Sequence, residues 1–114
     1  MATVIISKEL ENIIDKKFKK QSVKVFSLLY SLEKNPKKGK IVGQVGGLII
    51  KEIKYEGFRF YFIADGYKLK VFTEVELTDL LIKFVRISDK KDQQEIINEI
   101  KKILINLGPE GFNI

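Results

Sequence analysis

The sequence predicts an α+β fold: a short N-terminal strand and a helical hairpin packed on an antiparallel sheet of about four to five strands, plus a C-terminal helix. Three observations predict it. Apolar residues recur at helical spacing from Leu10 to Leu32 and again from Ile96 to Leu107. Between these stretches, from Leu48, the period changes to two. Turn signals, Glu56-Gly57 and Asp65-Gly66, punctuate that middle region.

Each element follows from local chemistry. Thr3–Ile6 is β-branched and apolar, so it reads as a strand. Ser7 offers an N-cap, with Glu9 and Glu11 where the helix dipole favours anions. Leu10, Ile13, Ile14 and Phe18 then form one helix face, and Val25, Leu28, Leu29 and Leu32 form the stripe of a second helix from about Ser22 to Glu33. Asn35-Pro36 ends that helix, because the residue before proline is pushed out of the α region. Residues 37–47, basic and glycine-containing, read as a flexible connector; they match no phosphate-loop signature. Strands are expected over Leu48–Tyr55, Phe58–Ala64, Lys68–Leu77 and Leu80–Ile87. In the second of these, Phe58, Phe60, Phe62 and Ala64 alternate with Arg59, Tyr61, Ile63 and Asp65. The phenylalanines belong on the helix-covered face, which leaves Arg59 and Tyr61 on an opposite face expected to be free. Ser88 or Asp89 caps a last helix that Gly108-Pro109 stops.

At 114 residues there is room for one domain, spanning 1–114. No apolar run approaches the roughly 18 residues that cross a bilayer, and the N-terminus has no secretory pattern, so a cytoplasmic protein without a membrane partner is expected. The chain has no cysteine and no histidine. Thiolate metal sites, disulfides and imidazole acid–base chemistry are excluded together, and no metal or cofactor is expected. The net charge of +6 is uneven: residues 1–40 hold ten lysines against four acids, whereas residues 41–114 hold eleven of each sign. Such a surplus either attracts phosphate or serves as a solvated helical face.

Several local motifs stand in a telling order. Helix two closes on Ser31-Leu32-Glu33-Lys34-Asn35-Pro36, with Gly39 completing an L-x-x-N-P-x-x-G pattern. A basic strand, Ile50-Lys51-Glu52-Ile53-Lys54, follows, and then Gly57-Phe58-Arg59-Phe60-Tyr61. Phe84-Val85-Arg86-Ile87-Ser88-Asp89-Lys90-Lys91 precedes the terminal helix. In order and spacing, over roughly residues 8 to 104, this resembles the RelE/ParE superfamily of toxin–antitoxin systems, its RelE/HigB-like branch in particular. Three features depart from the pattern: extra chain around 74–79, no Tyr or His near the terminal helix, and Glu52 where some members carry lysine.

The resemblance implies a toxin-like protein that cleaves mRNA on the ribosome, a metal-independent endoribonuclease acting through a basic sheet face. It implies Arg59, Lys54, Lys90, Lys91 and Tyr61 as catalytic, Arg59 clamping the phosphate and Tyr61 stacking on a base or orienting the hydroxyl. Arg86, Lys37, Lys38 and Lys40 would bind RNA. The implied partners are a cognate antitoxin and RNA or the ribosome, with a homo-oligomer left open. The alternative is a non-catalytic binding protein of the same fold, either a ParE-like inhibitor of a protein target or an inactive viral or relic member. Read from the residues alone, Arg59 has a second role, pairing with Glu52, Glu74 or Glu76. Tyr61 likewise has one as a half-buried sheet residue. The missing piece is a general base, since a lysine serves only with its pKa lowered by burial or cationic neighbours.

Overall fold

A computed structural model describes residues 1–112. The strands are β1 (Thr3–Ile6), β2 (Lys40–Val45), β3 (Leu48–Tyr55), β4 (Phe58–Asp65) and β5 (Leu81–Ser88). The helices are α1 (Lys8–Phe18), α2 (Ser22–Tyr30), α3 (Gly66–Val71) and α4 (Gln93–Leu107). One five-stranded sheet runs in the order β1-β5-β4-β3-β2. The α+β class, the helical hairpin and the C-terminal helix are as the periodicity predicts. Among the described residues no helix is long and apolar enough to cross a membrane.

The hairpin closes as its sequence requires. Ser7 Oγ accepts from the Leu10 amide at 3.2 Å, capping α1. A single 3-10 turn over Ser31–Glu33 and the buried Pro36 end the second helix. Leu10, Ile14, Val25, Leu29 and Leu32 pack on Phe60, Phe62, Ile82 and Phe84 from the sheet. β3 and β4 turn on Glu56-Gly57, both at positive φ (45° and 85°), the geometry of a tight two-residue hairpin.

Four expectations are corrected. The sheet is not wholly antiparallel, because β1 pairs with β5 in parallel, Thr3 against Leu81 through Ile6 against Phe84. Residues 37–47 are not simply a connector: Lys40–Val45 forms an edge strand on β3, with a register shift between Ile41 and Gly43. Lys68–Leu77 is not a strand: it runs from α3 through an extended break at Phe72-Thr73 into a 3-10 segment. Asp65 Oδ1 caps α3 through the Lys68 amide at 3.0 Å, and Thr73 and Glu76 form a capping box for a following 3-10 segment, Glu74–Asp79. These side-chain caps outweigh the period-two pattern, which would have buried Val71 and Val75; both are exposed.

The fourth correction matters most. The second sheet face is covered by α4, whose Ile97, Ile100 and Leu104 pack with Ile50, Tyr61, Ile63 and Val85. Two cores therefore sandwich the sheet. The cause is the row Ile50–Ile63, apolar on the Arg59 side and needing its own cover.

Gly39, the last residue of the motif after α2, sits at φ 105°, where an added Cβ would stand 3.1 Å from both Glu52 O and Phe62 Cζ. Gly39→Ala is expected to destabilise the protein by about 1–3 kcal/mol through this strained conformation. Urea unfolding of the two proteins checks it.

Candidate functional site

Residues opposite each other in neighbouring strands share a sheet face. The pairings place Lys40, Glu52, Tyr61 and Arg86 in one row across β2, β3, β4 and β5. The adjacent row is Lys54, Arg59 and Ser88. Five of the nine sequence-predicted residues, Lys40, Lys54, Arg59, Tyr61 and Arg86, thus lie together on the face that α4 partly covers. Period-two alternation in β3 and β4 puts them there.

The two rows have an exposed rim and a buried floor. Lys40 and Lys54 are exposed, whereas Glu52, Arg59, Tyr61 and Ser88 are buried. The expectation of an outward-looking arginine–tyrosine pair is therefore corrected. Arg59 is 9% exposed and Tyr61 0%. The Tyr61 hydroxyl lies 2.8 Å from Ser88 Oγ, and burial pushes its pKa up, against the Ser88 hydrogen bond and with the help of Glu52. A ring so enclosed offers no surface for stacking on a base.

Arg59 is held through Nη1, which donates to Gly57 O at 3.1 Å. Its Nε is buried with no hydrogen-bond partner among the described residues, and so is Glu52 Oε2. A buried orphan donor or acceptor costs about 1–3 kcal/mol, so this face carries two unmet polar demands beneath its exposed rim. Arg59 and Glu52 do not satisfy each other: among the described residues the one ion pair is Arg86–Glu99 at 3.1 Å. Glu76 is committed to Thr73, accepting from its amide and hydroxyl at 2.9 Å, and the Glu74 side chain lies outside what the structure describes.

Arg86 shares the face but is occupied. Its Nε donates to Glu99 of α4, its Nη1 donates to Val85 O at 2.8 Å, and its guanidinium lies 5.1 Å from the Phe112 ring centroid. It braces the helix to the sheet. Lys90 and Lys91 are exposed in the turn before α4, where Asp89 Oδ1 accepts from the amides of Lys91 and Asp92. Hydrogen bonds from Asp92, then from Lys91, hold the Asp89 carboxyl below the usual range. Lys38 lines a shallow depression of about 340 Å³ at the sheet edge with Gly39, Lys40 and Lys54. Lys37 stands apart on the helix-side groove.

Sequence reasoning missed two residues of this arrangement. Glu52 stands two positions from Lys54 on the same strand, so period-two counting alone places it among the cations. Ser88, read only as a helix cap, is the buried partner of Tyr61. A third omission is Lys51, on the opposite face: it is 5% exposed, and its Nζ donates to Lys37 O at 2.9 Å. Burial first, and Lys37 second, hold its pKa below the ordinary lysine value. It is the buried lysine that base chemistry asks for, but it lies across the sheet from Arg59.

Chemically, the floor supplies a carboxylate acceptor and a guanidinium donor, and the rim supplies two ammonium groups. No group of three or more His, Cys, Asp or Glu positioned to hold a metal occurs among the described residues. No protein-family model, curated protein or solved structure matches the chain.

Tyr61→Phe leaves the Ser88 hydroxyl buried without its partner. It is expected to cost about 1–2 kcal/mol, measured by denaturant unfolding at pH 7. Lys51 makes stability depend on pH. The folded state holds its proton less tightly than the unfolded chain does, so stability rises with pH through the folded-state pKa up to about 10.5. Below that window the wild type carries a constant deficit. Lys51→Met removes the deficit, so the variant's stability advantage at pH 7 shrinks by pH 10 in paired unfolding curves.

Proposed function

We propose that this chain is a RelE/ParE-like protein that binds RNA phosphate on the α4-covered sheet face and cleaves the strand there. The observation that carries the reading is Arg59, buried with an Nε–H that has no acceptor and flanked across the strand by the exposed Lys54. A guanidinium with a vacant donor beside an ammonium suits a phosphate oxygen. The element order, strand, helical hairpin, four strands and terminal helix, with α3 and a 3-10 segment set between β4 and β5, supports the kinship.

In this reading the Glu52 carboxylate fills the role that sequence left empty. It takes the proton from the ribose 2′-hydroxyl as the 2′-oxygen bonds to phosphorus. Arg59 and Lys40 stabilise the phosphorane charge. The bond from phosphorus to the 5′-oxygen then breaks, and the leaving oxygen takes a proton from the Lys54 ammonium. The products are a 2′,3′-cyclic phosphate and a 5′-hydroxyl, and exchange with water restores Glu52 and Lys54. Tyr61 acts through Ser88, fixing β5 against β4 beneath the site. A cognate antitoxin and the ribosome are the partners this reading entails.

A second reading is favoured by the full burial of Tyr61 and the near burial of Arg59 on the α4 side of the sheet. A face already covered suits a non-catalytic protein of the same fold that acts by binding a protein target.

The experiment is incubation of purified protein with programmed ribosomes, followed by primer extension on the mRNA. Wild type is expected to cut, and Arg59→Ala to slow cutting by about 10²-fold or more. Intact mRNA with well-folded wild type would overturn cleavage and select the binding reading.

A further inference from the structure

On the helix side of the sheet, away from Arg59, a groove of about 730 Å³ opens between β2, β3 and α3. Its size falls in the range of small-molecule sites. Lys37, Lys51 and Lys70 line it, with Ile49 and Leu69 in its floor and wall and Tyr67 at its side. Among the described residues no Asp or Glu lines it. Glu76, whose carboxylate feels Lys37, is already held by Thr73.

Three ammonium groups around one cavity repel each other, and one of them is removed from water. Lys51 lies over the Phe62 ring at 5.9 Å and donates to the Lys37 carbonyl, yet it keeps an unfavourable environment for its charge. An anion in the groove would relieve both costs. The cavity is also amphipathic. Tyr67 is 66% exposed and meets Phe72 edge-on at 6.2 Å, which steadies its ring. A flat aromatic surface beside clustered lysines and aliphatic side chains matches a base attached to a phosphate.

We infer that this groove binds a nucleoside 5′-phosphate, its base on Tyr67 and the apolar floor, its phosphate among Lys37, Lys51 and Lys70. The inference is independent of strand cleavage at Arg59. The same unit occurs as a free nucleotide and within single-stranded RNA.

The test is calorimetric titration of the wild-type full chain, the oligonucleotide probe being methylated at its 2′-oxygens so that the cleavage reading has no bearing on the result. The probes are adenosine 5′-monophosphate, ribose 5-phosphate, inorganic phosphate, a short oligoadenylate and a short acidic peptide. Adenosine monophosphate is expected to bind more tightly than ribose 5-phosphate. Tyr67→Ala should weaken the nucleotide roughly tenfold and leave ribose 5-phosphate unchanged. Lys51→Met and Lys70→Ala should weaken both several-fold. Tighter binding of the oligoadenylate, with the same variant pattern, upholds the site and assigns it to RNA. Tighter binding of the monophosphate upholds it as a free-nucleotide site. Equal affinity for nucleotide and inorganic phosphate, indifference to Tyr67→Ala, preference for the acidic peptide, or no binding at millimolar nucleotide would each overturn it.

Discussion

Strand β4 has to be covered twice, and the rest of the molecule follows from that constraint. Its even-numbered residues, Phe60 and Phe62, face the helical hairpin, and its odd-numbered ones, Tyr61 and Ile63, face α4. Neighbouring strands extend each face, so the sheet lies between two apolar layers. Arg59 belongs to the α4 face but stands at its margin, where apolar cover gives way to Lys54 and Lys40. The site is the place where the second core runs out.

This geometry explains why polar groups tolerate burial there. Tyr61 and Ser88 satisfy one another, and Arg86, in the Tyr61 row, clamps α4 through Glu99. Arg59 Nε and Glu52 Oε2 are left over, beside the strand-neighbour cations Lys54 and Lys40. Stability alone would favour pairing these two groups or replacing them with apolar residues. Their retention as unmatched neighbours is the physical reason to look for a ligand.

Much of this was legible in the sequence. The Ser7 cap, the proline stop after α2 and the Glu56-Gly57 turn are local signals, and they fixed the hairpin and β3–β4; the cap read at Ser88 or Asp89 falls instead at Asp92, which makes no side-chain cap bond. The alternation in Phe58–Asp65 separated Arg59 and Tyr61 from the phenylalanines, and five of the nine candidate residues do share a face. What was not legible is non-local. The Ile97, Ile100 and Leu104 stripe says that α4 packs, but not on which side of a sheet. Ile50, Ile63 and Val85 come from three strands, so their joint need for cover appears only once the register is known. Lys68–Leu77 alternates like a strand, yet Asp65 and Thr73 cap helical turns at either side. Lys51 counts as a surface lysine until an edge strand and the Lys37 carbonyl close around it.

The most direct measurement exploits the chain's having two arginines, Arg59 and Arg86. In nitrogen-15 spectra their Nε–H signals report separately, with Arg86, tied to Glu99, as an internal reference. Added RNA methylated at the 2′-oxygen cannot be cut and still presents its phosphates. The account predicts that the Arg59 Nε–H signal shifts and exchanges more slowly with water while Arg86 stays in place. An Arg59 signal unmoved at saturating RNA, with shifts confined elsewhere, would contradict it.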